Sequence, residues 1–217
     1  MPRAPATDDA TPLSRQDRKD QTRKSLLQAA LQLMGEGRSF TSLGIREIAR
    51  EAGMVPNAFY RHFRNTDELG LSLVDEVSHS LRRLLRQARQ PGSAETSVVR
   101  KSVRVYHQYV RNNRLLFLFI SSERAGGSRI VRMAIREQVR HFVDDMARDM
   151  QTMPAYQALP LSTLQMVSHL IVNTMLAAAP EILDLPNDQP ALAQAMEQSF
   201  VQQLQVILLG AAAWRAA

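Results

Sequence analysis

The 217-residue chain contains no cysteine. That excludes disulfides, thiol chemistry and zinc–thiolate sites, and it suits the cytoplasm, where thiols stay reduced. Aromatic residues are scarce, at 6%, with a single Trp. There is no run of about 18 consecutive apolar residues, so no membrane span is expected. Met1 to Arg15 lacks the apolar core of a signal peptide. No strand-like alternation and no internal repeat is visible, and no low-complexity stretch occurs beyond the first residues. Gly126-Gly127 follows no strand, so it is not a phosphate loop of the nucleotide-binding kinds. The five histidines are scattered, without paired carboxylates or metal-ligand spacing. His141 beside Asp144 and Asp145 reads as a charge pair on a solvated face. Enzyme chemistry and a metal or other cofactor are therefore not expected.

What the chain does have is ordinary globular material. Apolar residues make up 45%, enough for one good core or two small domains. The formal net charge is +6, and its placement matters more than its size. Residues 1–64 hold 11 Arg or Lys against 7 Asp or Glu, whereas residues 155–217 hold Arg215 alone against four acids. One end is thus suited to phosphate and the other is not.

The basic end carries the most informative stretch, residues 44–63. Ile45, Ile48, Ala49 and Ala52 share one helical face. Gly53 follows as a left-handed helix stop, and Pro56 sits in the first turn of a second helix. Phe59 and Phe63, with Ala58, can pack inward, leaving Asn57, Tyr60, Arg61 and His62 outward. The spacing predicts a helix-turn-helix whose second helix enters a DNA major groove.

Around this motif the whole chain reads as about nine helices. Residues 1–14, with three prolines, form a flexible tail. Ser14 to Gly35 is a helix with Leu26, Leu27, Ala30, Leu33 and Met34 buried and Arg15, Arg18, Lys19, Arg23 and Lys24 in its first turns. Cations sit badly at a helix N-terminus unless an anion, such as a DNA phosphate, compensates them. Thr66 to about Gln90 is a linking helix, with Thr66 as its cap and Arg82, Arg83, Arg86 and Arg89 near its dipole-favoured end. Pro91-Gly92-Ser93 breaks the chain before a helix over 94–112. The most apolar segment, Leu115 to Ile120, is expected to give way to a loop over 121–128, then a helix from about Arg129 to Met150 with Ile130, Met133, Phe142, Val143 and Met146 in its apolar set. A nearly charge-free helix spans Leu161 to Ala179, Pro180 to Pro190 interrupts, and Ala191 to Trp214 is the last helix. These last two are apolar on more than one face, more than the chain itself can cover, so a homodimer through them is expected.

The runs Ile-Arg-Glu-Ile-Ala-Arg-Glu-Ala-Gly and Phe-Tyr-Arg-His-Phe resemble the DNA-binding domain of the TetR family of bacterial repressors over roughly residues 18–75. The continuation Phe-Tyr-Arg-His-Phe-Arg-Asn-Thr-Asp-Glu-Leu-Gly-Leu is more similar still to the branch that represses unsaturated fatty-acid biosynthesis genes, the FabR- and DesT-like proteins. The resemblance implies an all-α fold, with a helix-turn-helix domain over 15–65 and a ligand-binding, dimerising domain over 66–217. It implies a palindromic operator in double-stranded DNA and no membrane partner. Position by position it implies DNA contacts from Arg18, Lys24, Arg46, Pro56, Asn57, Ala58, Tyr60, Arg61 and His62. Three positions depart from the pattern. Gly44 stands where the family often has a capping Ser or Thr, Val55 where it usually has Ser, and Thr66 where many relatives have lysine.

The branch also implies an effector with a long acyl chain, acyl-CoA or acyl carrier protein, with unsaturated chains strengthening DNA binding and saturated ones weakening it. The pocket candidates are Leu115, Leu116, Phe119, Ile120, Phe142, Val143, Met146, Met166, Leu170 and Met175, with Arg124, Arg129 and Arg132 for the anionic head. Two rival readings remain. One is a repressor of an efflux system with a drug-like apolar effector; the other is a helical lipid carrier with a vestigial helix-turn-helix.

Overall fold

A computed structural model describes residues 14–88 and 95–214. All regular structure among them is helical: α1 (Arg15–Gly35), α2 (Ile45–Glu51), α3 (Pro56–Tyr60), α4 (Thr66–Ala88), α5 (Glu95–Asn112), α6 (Arg114–Ala125), α7 (Arg129–Gln151), α8 (Leu161–Asp184) and α9 (Pro190–Ala213), with a 3₁₀ turn at Phe40–Ser42. The expected tail, Arg89 and the Pro91-Gly92-Ser93 break lie outside the described residues, apart from Ser14.

The first helix starts on a reciprocal cap. Ser14 Oγ accepts from Asp17 N and Asp17 Oδ2 accepts from Ser14 N, both at 3.1 Å, which also places an anion among the first-turn cations. The five expected core residues are buried, and Ala29 and Leu31 with them. Both flanks are occupied: α1 packs on α2 and on α6.

α4 joins the two ends of the molecule, touching α1 at its start and α5 and α7 along its length. Its cap is one residue earlier than expected. Asn65 Oδ1, not the Thr66 hydroxyl, accepts from Glu68 N at 2.9 Å, while Glu68 Oε2 accepts from Arg64 N at 2.6 Å. An Asn side chain reaches the third helical N–H as well as Thr does, so the local choice is decided by register.

Two breaks expected from the sequence are shorter than expected, reduced to residues 126–128 and 185–189. Ser121 to Ala125 are helical, because the Ser122 hydroxyl donates to the Phe119 carbonyl at 2.9 Å instead of unwinding the turn. Pro180 lies inside α8, which continues to Asp184. A mid-helix proline costs roughly 3 kcal/mol, and burial of Ala178, Ala179, Ile182 and Leu183 on both sides of it offsets that cost. Ile130 and Met133, expected among the apolar set of α7, are instead 51% and 49% exposed.

α8 is the centre of the C-terminal bundle, packed against α5, α6, α7 and α9. By length and composition it would also suffice to cross a membrane. Its Ser, Thr, Gln, His and Asn interrupt the apolar run without adding charge, which is why a search for a continuous run passes it by. The buried apolar residues of both ends form one continuous cluster from Leu26 to Ala211.

Candidate DNA interface and effector chamber

The turn between α2 and α3 is built by backbone bonds. Gly53 has φ +69°, Gly53 N donates to Arg50 O at 2.9 Å and Met54 N to Ala49 O at 2.8 Å. This paired closure satisfies the last carbonyls of α2 and needs a residue tolerant of the left-handed region. At the start of α2, Gly44 supplies no side-chain cap; Glu47 Oε2 accepts weakly from Gly44 N at 3.5 Å. Glu47 is itself held by Arg38 in a two-pronged ion pair, with Arg38 Nη2 at 3.2 Å from Oε2. That guanidinium keeps the carboxyl below the usual carboxylate range. Val55 gives α3 no side-chain cap and is 70% exposed; Pro56 has no N–H to satisfy, and Ala58 N donates to Val55 O at 2.9 Å.

Phe59 and Phe63 are buried and Ala58 is half-buried, as the periodicity requires. Arg18, Lys24, Arg46, Pro56, Asn57, Tyr60 and Arg61 are exposed. His62 is half-buried with its Nδ1 buried and unpartnered. Burial, then the charges of Lys19, Arg23 and Arg61, depress its pKa below the usual histidine value. Lys19 therefore stands nearer His62 than sequence spacing revealed, whereas Lys24 lines a groove with Glu51 and Ala52. Arg23 is tied into the structure: it donates to Ser72 Oγ at 2.7 Å and lies 4.8 Å above the Phe63 ring.

The C-terminal bundle forms a partly open apolar chamber of about 120 Å³ between α4, α5, α6, α7, α8 and α9. Beside it is an open cleft of about 810 Å³ between α6, α7 and α8. Phe117, Ile120, Ile135, Val139 and Leu176 line both, so the two spaces meet. The cleft is basic where the chamber is not: Arg124, Arg136, Arg140, His169 and Asn173 line it, and Arg124 Nη2 donates to Asn173 Oδ1 at 2.9 Å.

Of the expected pocket residues, Ile120, Phe142, Met146 and Met175 line the chamber and Ile120 and Arg124 line the cleft. The others do not. Leu115 is pressed against Gly35 of α1, where an added Cβ would lie 2.7 Å from Leu115 Cδ2. Leu116 lines the groove beside α1, and Phe119 is buried edge-on to Phe40 at 5.0 Å. Val143 is core, and Met166 and Leu170 are 47% and 51% exposed. Arg129 is exposed outside both spaces. Arg132 instead donates to the carbonyls of Gly126 and Gly127, at 2.7 and 3.3 Å. An apolar run followed by arginines does not say which helical face turns inward. Arg136 with Arg140, His169 with Asn173, and Ser102 with Tyr106 were overlooked as site residues, although each pair sits four apart on one helical face.

Elsewhere the structure spends its charges on itself. Arg82 and Arg86 reach Asp145 at 3.3 Å, with Arg148 at 3.5 Å. His141 pairs with Glu137 at 3.3 Å rather than with Asp144 or Asp145. No cluster of three His, Asp or Glu able to hold a metal occurs among the described residues.

A helix-turn-helix on a helical bundle defines the class of DNA-binding regulators. Residues 26–73 match the family described as bacterial regulatory proteins, tetR family, and residues 95–207 match the tetracyclin repressor-like C-terminal domain. The chain belongs to the TetR family of transcription regulators, which are DNA-binding proteins and not enzymes.

Solved structures share the fold at low identity. A TetR-family regulator from Syntrophomonas wolfei matches at TM-score 0.73 and 13% identity, covering 88% of this chain and 96% of that one. The fatty acid degradation regulator FadR from Bacillus halodurans matches at 0.65 and 16%, covering 85% and 96%. AibR, solved with isovaleryl coenzyme A and operator DNA, matches at 0.64 and 16%, covering 84% and 97%.

Proposed function

We propose that this protein is a repressor that binds a palindromic operator as a homodimer and answers to an acyl thioester of the acyl-CoA kind. The observation that carries the effector is the junction of an apolar chamber with an arginine-lined cleft. A ligand with an apolar chain and an anionic head matches that pairing. A neutral drug-like effector would leave Arg136 without a role, whereas Arg140 already pairs with Glu137. Similarity in fold to AibR and FadR agrees with this reading.

In the proposed complex α3 presents Asn57 and Arg61 to base edges and Tyr60 to phosphate or base. Arg18, Lys24, Arg46, Lys19 and His62 meet phosphates, and Pro56 and Ala58 lie against the backbone. The exposed Leu161, Met166 and Leu170 of α8 and Leu192, Val206 and Leu209 of α9 supply the face for a second copy. Two recognition helices then address two half-sites.

Effector and operator communicate through the joint between α4 and the α6–α7 turn. Ser128 Oγ donates to Asp67 Oδ1 at 2.6 Å, and Ser128 N donates to Glu123 Oε2 at 2.8 Å. Glu123 is buried, which raises its pKa. Gly70 lies so close to α7 that a Cβ there would meet Val131 Cγ2 at 2.7 Å and Phe40 Cζ at 2.8 Å. A head group drawn to Arg124 moves α6 against this joint, and α4 carries the shift to α3.

The test is thermal shift together with operator binding, using butyryl-, palmitoyl- and oleoyl-CoA. A cavity of roughly 150 Å³ holds benzene, so the chamber as formed takes about four to six carbons. A longer chain must widen it or run along the cleft. A shift with any ester, coupled to a change in operator affinity, supports the reading; no response to all three rejects an acyl thioester effector.

A further inference from the structure

The chamber is not purely apolar. Beside Ser78 of α4 and Gln138 of α7, Tyr106 and Ser102 line it from α5, one helical turn apart. Tyr106 Oη and Ser102 Oγ are both buried and neither has a hydrogen-bond partner. Tyr106 is only 3% exposed, and burial raises its pKa far beyond the physiological range, so the phenol keeps its proton and remains a donor. A buried hydroxyl left unpaired is destabilising, and two on one cavity wall are a costly arrangement for a site meant to hold hydrocarbon alone.

Their position along the chamber is also defined. Tyr106 packs edge-on against Phe117, with centroids 5.9 Å apart, and Phe117 lines the junction with the cleft. The Arg124 charge reaches the Tyr106 phenol. Tyr106 thus stands at the thioester end of a ligand whose anionic head lies in the cleft, with Ser102 one turn earlier on α5.

We infer that the effector is a short acyl thioester bearing an oxygen, as hydroxyl or oxo group, close to its thioester end, held by the hydroxyls of Tyr106 and Ser102. This rests on the acyl thioester reading above and narrows it. An unsubstituted chain pairs at most its own carbonyl and leaves one hydroxyl unmet. A 3-hydroxy or 3-oxo chain satisfies both, and the site gains most of its discrimination from the hydroxyl that the wrong ligand orphans. The remaining wall, with Leu81, Phe142 and Met146, receives the rest of the chain.

The experiment compares 3-hydroxybutyryl-CoA with butyryl-CoA by calorimetry on the full-length protein, with operator release followed by fluorescence anisotropy. The expected wild-type preference for the hydroxy ester is about tenfold or more. In Tyr106→Phe, and independently in Ser102→Ala, the ratio of the two affinities falls towards one. Reading a ratio within each variant controls for changes in overall stability. Equal affinities in the wild type, or a preference that survives in both variants, overturns the oxygenated chain while leaving an acyl thioester effector standing. Binding of neither ester overturns the short oxygenated chain, and the palmitoyl- and oleoyl-CoA titrations then decide the acyl thioester reading separately.

Discussion

The two ends of this molecule use polar side chains in opposite ways. At the DNA-binding end Asn57, Tyr60 and Arg61 stand in solvent on a short helix set by one left-handed glycine. In the bundle Ser102, Tyr106 and His107 turn polar atoms inward and leave them unpaired. An outward polar residue costs nothing to display and waits for a partner of any size. An inward one stays costly until a partner meets it. The first arrangement suits a polymer with phosphates along its edge, and the second suits a molecule that can be enclosed.

The most severe way to break the comparison is to separate the two copies. Val206→Glu with Leu209→Glu, on the exposed face of α9, should give a monomer by ultracentrifugation and reduce operator affinity about 100-fold or more. A dimer that persists would move the interface elsewhere. Next comes the joint between the ends. Gly70→Val forces a side chain into Val131 and Phe40, costing about 1–3 kcal/mol by chemical denaturation, and it should weaken the effector's influence on operator binding more than operator binding itself.

At the DNA-binding end alone, Asn57→Ala should relax base preference at one position by about 1–3 kcal/mol. Tyr60→Ala and Lys24→Ala should weaken all DNA sequences alike. A protection assay over a panel of operator variants separates these outcomes, and unchanged preference in Asn57→Ala would mean that another face reads the bases. Val55→Ser supplies the cap that α3 lacks and should stabilise the fold by about 1 kcal/mol, read as a rise in Tm.

The smallest effect is a pH dependence. Burial lowers the pKa of His62 and of His107, so near the ordinary histidine value of about 6.5 the unfolded chain takes up protons that the folded chain refuses. Stability should therefore fall as pH drops through about 6.5 and level off below the folded-state values. His107→Asn should reduce that slope, and an unchanged slope would show that other groups set it.

What the sequence by itself determined is whatever a few consecutive residues decide. The glycine stop at Gly53, the inward Phe59 and Phe63, the core stripe of α1 and the uncapped Val55 all follow from spacing and backbone sterics within one or two turns. So did the helical class and the family resemblance. Tertiary structure alone decided the chamber, because its wall takes residues from six helices and no local pattern states which face of each turns inward. That is why Phe119 and Leu115 belong to the packing around α1, Arg132 closes a turn instead of meeting a ligand, and Pro180 stays helical. It is also why Tyr106 and Ser102, unremarkable in a valine-rich helix, become two unpaired hydroxyls on the chamber wall.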